Sequence, residues 1–343
     1  MAGETYTTTQ LIDVLRKKMK FQQVFMSLFF RETFLFSTQK VDLSEIPGDV
    51  DMAVYVSPTV GSKVLRTRGG LTKQFQPGYV KPKHEVNVDM TPRALPDEDP
   101  RALKDPSYRR KRLILQNLQD EELAIQQVEE KQCIDAILHG KYIMKGDQFA
   151  PVEVDMLRNP ENNIIQAGAA AWSKQDKATF DPTDDIERYA ENASGVIDLI
   201  VFDQKGWALF RSFKAVKDKL DTRRGSNSEL ETACKDLGKI VSYKGNFGDV
   251  AIVVYNGQMQ VDGVKQKALP EFTMVLGNSS ARGIRTYGAI RDAVAQAAGI
   301  DRGSRFPRNW IEVGDPATEF TMIQSAPLML LPDPNEFVSV QLG

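Results

Sequence analysis

Asp181, Asp184 and Asp185 come nearest to a chemical constellation in this sequence: three carboxylates within about one turn could hold a hard cation such as magnesium. A helix start favours acids for its own sake, because its unpaired N–H groups and its dipole stabilise negative charge, and that reading takes precedence. Arg223-Arg224-Gly225 could bind an anion at the helix start that follows it. A surface turn or a subunit salt bridge is the plainer account. The two histidines, His84 and His139, have no partner at ligand spacing, and Cys133 and Cys234 sit in helical patterns without metal or redox spacing. Both thiols read as small core residues of a protein in a reducing compartment. There is no Walker-type glycine loop, zinc-binding helix or nucleophile elbow. The sequence therefore points away from an enzyme, with no cofactor and no metal, and towards architecture.

The element that would position everything else is Asp105 to Gly140, which reads as one helix. Asp105 can cap it, Pro106 occupies the first turn where a missing N–H costs nothing, and Gly140 supplies the left-handed residue that ends it. Between Pro106 and Gly140 there is no Gly or Pro. Ile114, Leu118, Ile125, Val128 and Ala136 fall within a narrow arc at 3.6 residues per turn, while Arg109 to Arg112, Asp120 to Glu122 and Glu129 to Lys131 populate much of the remaining surface. Ile114, Leu118, Ile125 and Val128 are expected to face a sheet. The helix would be roughly 50 Å long. A compact chain of this size has a radius of gyration of about 20 Å, so either the molecule is flat or the helix crosses all of it.

The 343 residues are enough for two domains, the apolar fraction of 41% is ordinary for a globular protein, and a net charge of -2 gives no bulk argument for wrapping nucleic acid. No apolar run reaches the length of a membrane span, and the N-terminus lacks the pattern of a secretory signal, so synthesis and folding are expected in the cytoplasm.

Residues Thr7 to Arg31 look helical and lead through FQQVFMSLFFRETFLF. Its aromatic side chains need a large apolar surface, either the chain's own core or a neighbouring subunit. From Phe36 to Met90 the periodicity becomes that of strands, with alternation at Met52, Val54 and Val56 and runs at Val60 to Leu65 and Tyr79 to Val88. This reads as an extended hairpin, charged by Lys63, Arg66, Arg68, Lys73, Lys81 and Lys83 and too poor in apolar residues to stand alone. Those charges serve as a solvated or edge-protecting face, with phosphate binding as the alternative. A stiff, acidic, Pro-rich stretch from Thr91 leads to the long helix. After it come a short β-rich region to about Trp172 and then alternating strands and helices: strand Val196 to Asp203, helix Gly206 to Leu220, a capping box from Ser228 to Glu231, and strand Val250 to Tyr255. Trp310, in the aperiodic SRFPRNWIE, has the surroundings of an interface anchor, or it closes the local core.

Several words occur in one order along the whole chain: PGYVKPKHEVN (Pro77 to Asn87), LPDEDP (Leu95 to Pro100), DEELAI (Asp120 to Ile125), GWALFRSFKAVK (Gly206 to Lys217), LDTRRGSNSELETA (Leu220 to Ala233), GDVAIVVY (Gly248 to Tyr255), EFTMIQSAPLMLL and EFVSVQL. On these the chain resembles, from end to end, the major capsid protein family of phage lambda and its relatives. It departs near the N-terminus, around Asn159 to Ala171 and at Ala289 to Asp301.

The resemblance implies an α+β fold of the Hong Kong 97-type of tailed-phage capsid protein. Its divisions would be an N-arm (1–35), an E-loop β-hairpin (36–95), a P-domain (96–180) with the spine helix (105–140), an A-domain (181–318) and C-terminal strands (319–343). It implies a subunit of hexamers and pentamers that close an icosahedral shell around double-stranded DNA, first as a procapsid and then as an expanded head. Expected partners are a separate scaffold protein, a portal and a trimeric decoration protein over the E-loop and N-arm, with the virion as the destination and the host cytoplasm as the place of assembly. Phe25, Phe29, Arg66, Arg68 and Trp310 are expected at contacts between subunits or with the decoration protein. The alternatives are a nanocompartment shell of the same fold and, further off, a magnesium-dependent enzyme using Asp184 and Asp185.

Overall fold

The computed structural model describes residues 6, 8, 11, 23–38, 40–45, 71–87, 105–146, 149–219, 240–261, 263–297 and 299–343. Helix α1 (Val24–Phe29) runs directly into strand β1 (Phe30–Leu35). The helical periodicity read as far as Arg31 thus stops at Phe29. From Phe30 the backbone pairs in parallel with a later strand, and Phe30 fits there because its partner is Gly283: a Cβ at that position would lie 2.6 Å from the Phe29 carbonyl oxygen. Strands β2 (Val41–Glu45) and β3 (Leu71–Phe75) pair antiparallel, Val41 opposite Phe75, and both of those side chains are buried in the main core. This is the foot of the expected hairpin; Met52, Val54, Val56, Val60 to Leu65, Arg66 and Arg68 lie outside the described residues.

The chain does not stay in the hairpin as far as Met90. At Val80 it bridges to Ser325, and β4 (Lys83–Glu85) joins a sheet of the body. Pro77-Gly78 marks the departure. Next comes α2 (Pro106–His139), the long helix, followed by the hairpin β5 (Lys141–Gly146) and β6 (Phe149–Asp155), then β7 (Asn163–Ile165). Helix α3 (Pro182–Ala190) starts at the Asp181 cap, and β8 (Leu199–Phe202) is fully buried.

The expected helix from Gly206 to Leu220 is two: α4 (Gln204–Phe210) and α5 (Lys214–Lys219). Between them the Ser212 hydroxyl donates to the Leu209 carbonyl (2.6 Å), a local bond that competes with helix continuation, and Phe213 turns inward against Trp172 and Phe180. The Ser228 to Glu231 capping box, Arg223 to Gly225 and Cys234 lie outside the described residues. The remainder is β9 (Val241–Phe247), β10 (Val250–Tyr255), β11 (Gln258–Val261), β12 (Val264–Lys267), β13 (Thr273–Gly277), β14 (Gly283–Tyr287), α6 (Ala293–Ala297), β15 (Phe306–Glu312), β16 (Thr318–Gln324), β17 (Pro327–Leu330) and β18 (Val338–Gln341).

A six-stranded mixed sheet in the order β7-β18-β13-β8-β10-β9 forms the middle of the molecule. Its central strands are continuous apolar runs because both faces are covered. Leu199, Val201, Val253 and Val275 point into the main core, while Ile200, Phe202, Ile252, Val254, Met274 and Leu276 point into a second core with Trp172, Phe210 and Phe213. A three-stranded sheet, β1-β14-β17, closes the main core, and another, β15-β16-β4, lies along the first half of α2.

Although SRFPRNWIE carries no periodic pattern, it contains β15, in register with β16 from Phe306 opposite Gln324 to Glu312 opposite Thr318. Its pattern is obscured because Pro307 and Asn309 are buried polar or ring-constrained residues in place of the usual aliphatic ones. A division at 318/319 also cuts this hairpin: its two strands share the sheet on the long helix and belong to one unit with α2.

Candidate functional site: the carboxylate face of the long helix

Helix α2 is terminated as its sequence dictates. Asp105 accepts from the Ser107 backbone N–H (3.1 Å) and hydroxyl (2.8 Å), and Gly140 adopts φ 66°, its N–H donating to the Ala136 carbonyl. A Cβ on Gly140 would come within 2.3 Å of the Arg158 Cβ. Arg158 is itself buried and closes the helix end, donating to the carbonyls of Ile137, Asn162 and Phe337. Burial lowers its pKa to about 10.

Ile114, Leu118 and Ile125 are buried against Val86, Leu113 and Ile323, so the first half of the helix packs on the β15-β16-β4 sheet. Each such side chain contributes about 1.5–3 kcal/mol. Val128 is a correction: it is only half-buried, because it lies at the margin of the arc away from the side on which β15 closes.

Four glutamates lie buried on the same helix, where the sequence suggested polar surface: Glu121, Glu122, Glu129 and Glu130. At 3.6 residues per turn Glu121 falls inside the apolar arc itself. Arg305, just before β15, reaches between the middle two: its Nε donates to Glu122 (2.7 Å), and its two terminal nitrogens donate to the two Glu129 oxygens at 2.7 and 2.9 Å. Burial pulls the Arg305 pKa down, but Glu129 and Glu122 more than offset this and leave it raised.

Glu121 accepts from the Thr321 hydroxyl of β16 (2.7 Å) and lies 3.2 Å from His84 Nδ1 of β4. Burial pushes its pKa up to about 7, against the pull of those hydrogen bonds. Glu130 accepts the backbone N–H groups of Phe25 (2.8 Å) and Met26 (3.1 Å), and burial raises it also to about 7. Near the helix start, Arg110 forms a two-pronged pair with Glu319 of β16, both distances 2.7 Å. The helix thus binds three separate stretches of chain through charge: the N-terminal segment, the segment after the hairpin, and β15-β16.

The other expected site residues are scattered. Phe25 and Phe29 are fully buried in the subunit's own core, edge-on to Tyr255 and Phe337 respectively. They are therefore not surface contacts: among the described residues of the aromatic segment Phe25, Phe29 and Phe30 are buried within their own chain, while Phe34 and Leu35 near its end are exposed. Trp310 is half-buried on the outer face of β15, tilted on Phe320 at 5.7 Å, with the Lys83 ammonium 3.6 Å from the Phe320 ring and the Arg308 guanidinium 5.1 Å from the Trp310 ring.

Asp181 caps α3, Asp185 accepts from Trp172 Nε1 (2.9 Å) and Arg188 (2.7 Å), and Asp184 is exposed. Two of the three carboxylates thus have structural partners. Among the described residues no three His, Cys, Asp or Glu side chains form a group that could hold a metal ion, and no helix is long and apolar enough to cross a membrane. Cys133 is buried.

Sequence reasoning missed the buried glutamates because a Glu on a long helix normally marks solvent. Their one signal was Glu121 inside an otherwise apolar arc.

A 34-residue helix lying along a three-stranded sheet, beside a six-stranded mixed sheet, is the architecture of a capsid subunit of the Hong Kong type. The crystal structure of a protein from prophage of E. coli CFT073, assigned as a capsid protein, superposes with a TM-score of 0.85 at 37% identity, covering 99% of this chain and 100% of that one. The family model for phage major capsid protein E matches residues 7–342. The chain is similar to the major capsid proteins of Escherichia phage N15 (69% identical), Enterobacteria phage phi80 (68%) and Escherichia phage lambda (67%), in each case over 98% of this chain and 99% of the relative. It belongs to the phage major capsid protein E family, whose members are structural proteins and not enzymes.

Proposed function

We propose that this chain is the repeating subunit of a phage head, assembling into hexamers and pentamers of an icosahedral shell, first as a procapsid and then as an expanded head. The observation that carries the reading is end-to-end identity of 67–69% with proteins named as major capsid proteins. Many modest contacts repeated around a closed lattice make such a shell strong, so no single contact needs to be. The relatives at this identity are phage proteins, which favours a head over a nanocompartment.

The finer parts of the proposal are a separate scaffold protein during assembly in the host cytoplasm, a portal at one vertex and a trimeric decoration protein outside. Double-stranded DNA fills the finished virion without sequence-specific contact, in keeping with a net charge of -2. Arg66, Arg68 and Trp310 are proposed at contacts with neighbours or with the decoration protein. For Trp310, half-exposure on a sheet face beside Lys83 and Arg308 supports the reading.

The test is electron microscopy of the protein expressed with the scaffold protein of a related phage. Closed shells are expected; soluble monomers alone would overturn the proposal.

A further inference from the structure

The sheet β15-β16-β4 has two faces, and α2 takes one of them. Glu319, Thr321 and Ile323 of β16 face the helix, with His84 beside Thr321. Side chains alternate along a strand, so the residues between them face outwards. The register sets these in rows across the sheet: Arg308, Met322 and Lys83, then Trp310, Phe320 and Glu85, then Glu312 and Thr318. Met322, Trp310 and Phe320 are only half-buried. Arg308 is paired with Asp292, but Lys81 and Lys83 lie over the rings of Tyr79 and Phe320 and have no carboxylate partner among the described residues. The outer face is therefore aromatic at its centre and cationic along the β4 margin.

The turn that joins β15 to β16 has the opposite character. Residues 312–317 are all exposed, and Val313, at 97%, is the most exposed of the described large apolar side chains. Glu312 and Asp315 flank it, neither with a cation partner among the described residues. An apolar knob between two acids matches an aromatic surface edged by lysines in both polarity and charge. It cannot reach that surface in its own subunit. Met322, beside Lys83, lies four residues back from Thr318, about 13 Å at a strand's rise per residue, and the turn projects the other way.

We propose that the β15-β16 turn of one subunit packs on the outer face of this sheet in a second copy of the chain, with Val313 against Trp310 and Phe320, and Asp315 against Lys83. The two surfaces differ, so the contact is head-to-tail: each copy offers one turn and one face, and successive contacts run on until they close a ring. This presupposes the shell subunit already proposed and gives Trp310 its partner.

The double variant Asp315→Cys, Lys83→Cys, assembled with the scaffold protein of a related phage and then oxidised, tests the contact on a non-reducing gel. A disulfide needs Cα atoms within about 7 Å, so the two new cysteines of one chain cannot join each other. Species larger than a dimer are expected from shells of the double variant and from neither single one. In a second arm, Asp315→Lys and Lys83→Glu should each lower shell yield by about tenfold or more with the urea midpoint of the subunit unchanged, and the two together should restore it. This arm decides where the cysteine variant does not assemble. Shells whose cysteines stay unjoined or stop at dimers, single charge variants that assemble as the wild type does, or a combined variant no better than its parents would overturn the contact and leave the shell intact. A wild-type chain that yields only monomers would overturn both.

Discussion

Replacing Arg305 by Met tests how the long helix is fastened to its sheet. The guanidinium makes three hydrogen bonds of 2.7, 2.7 and 2.9 Å to two carboxylates whose side chains are 9% and 1% exposed, and is itself 15% exposed. Methionine fills much of the volume but leaves Glu122 and Glu129 buried without their counter-charge. Breaking a buried pair by removing one partner costs about 3–5 kcal/mol, and one guanidinium here serves two acids, so the upper end is expected. Lys in its place keeps the charge and loses the fork, costing about half as much. The triple change Arg305→Met, Glu122→Gln, Glu129→Gln should recover most of the loss, because removing a whole buried ion cluster is close to neutral. The assay is urea unfolding of the soluble subunit followed by tryptophan fluorescence. A single variant within about 1 kcal/mol of wild type, or a triple variant no better than the single, would refute the reasoning.

Three further outcomes follow from the same geometry. Leu118→Asp puts a carboxylate at a fully buried position between the helix and its sheet, and should yield insoluble protein and no shells on expression. Gly140→Ala combines a left-handed backbone with a Cβ 2.3 Å from that of Arg158, so urea unfolding should show a loss greater than the ~1 kcal/mol of the backbone effect alone. Trp310→Ala should lower shell yield beyond what any loss of subunit stability in urea explains, since the ring is partly exposed on a sheet face; normal shells would remove Trp310 from the contact surface.

The long helix was legible to the residue at both ends because its stop signals, Asp105, Pro106 and Gly140, act locally and need no tertiary partner. Ile114, Leu118 and Ile125 were legible for the same reason, as spacing fixes which residues share a face. The fate of Phe25 and Phe29 was not, because an aromatic run demands an apolar surface without saying whose. Its answer lies far along the chain, in Tyr255 and Phe337, on which Phe25 and Phe29 pack, and in Gly283, whose missing Cβ leaves room for the Phe30 ring. The strand from Phe306 and the break at Ser212 show the reverse failure, in which local composition hid a regular strand and suggested a continuous helix. The buried glutamates depend on Arg305, distant in sequence, and on backbone amides of α1 that no side-chain pattern reveals.

The central claim is that the long helix is one continuous beam whose inward carboxylates fasten the rest of the subunit, in the shell as in the single chain. A cryo-electron microscopy map of assembled shells tests it directly. The account predicts an unbroken helix from Pro106 to His139 at every subunit position, with Arg305 between Glu122 and Glu129 in each. A helix broken within that span, or an Arg305 turned away to a neighbouring subunit, would contradict it.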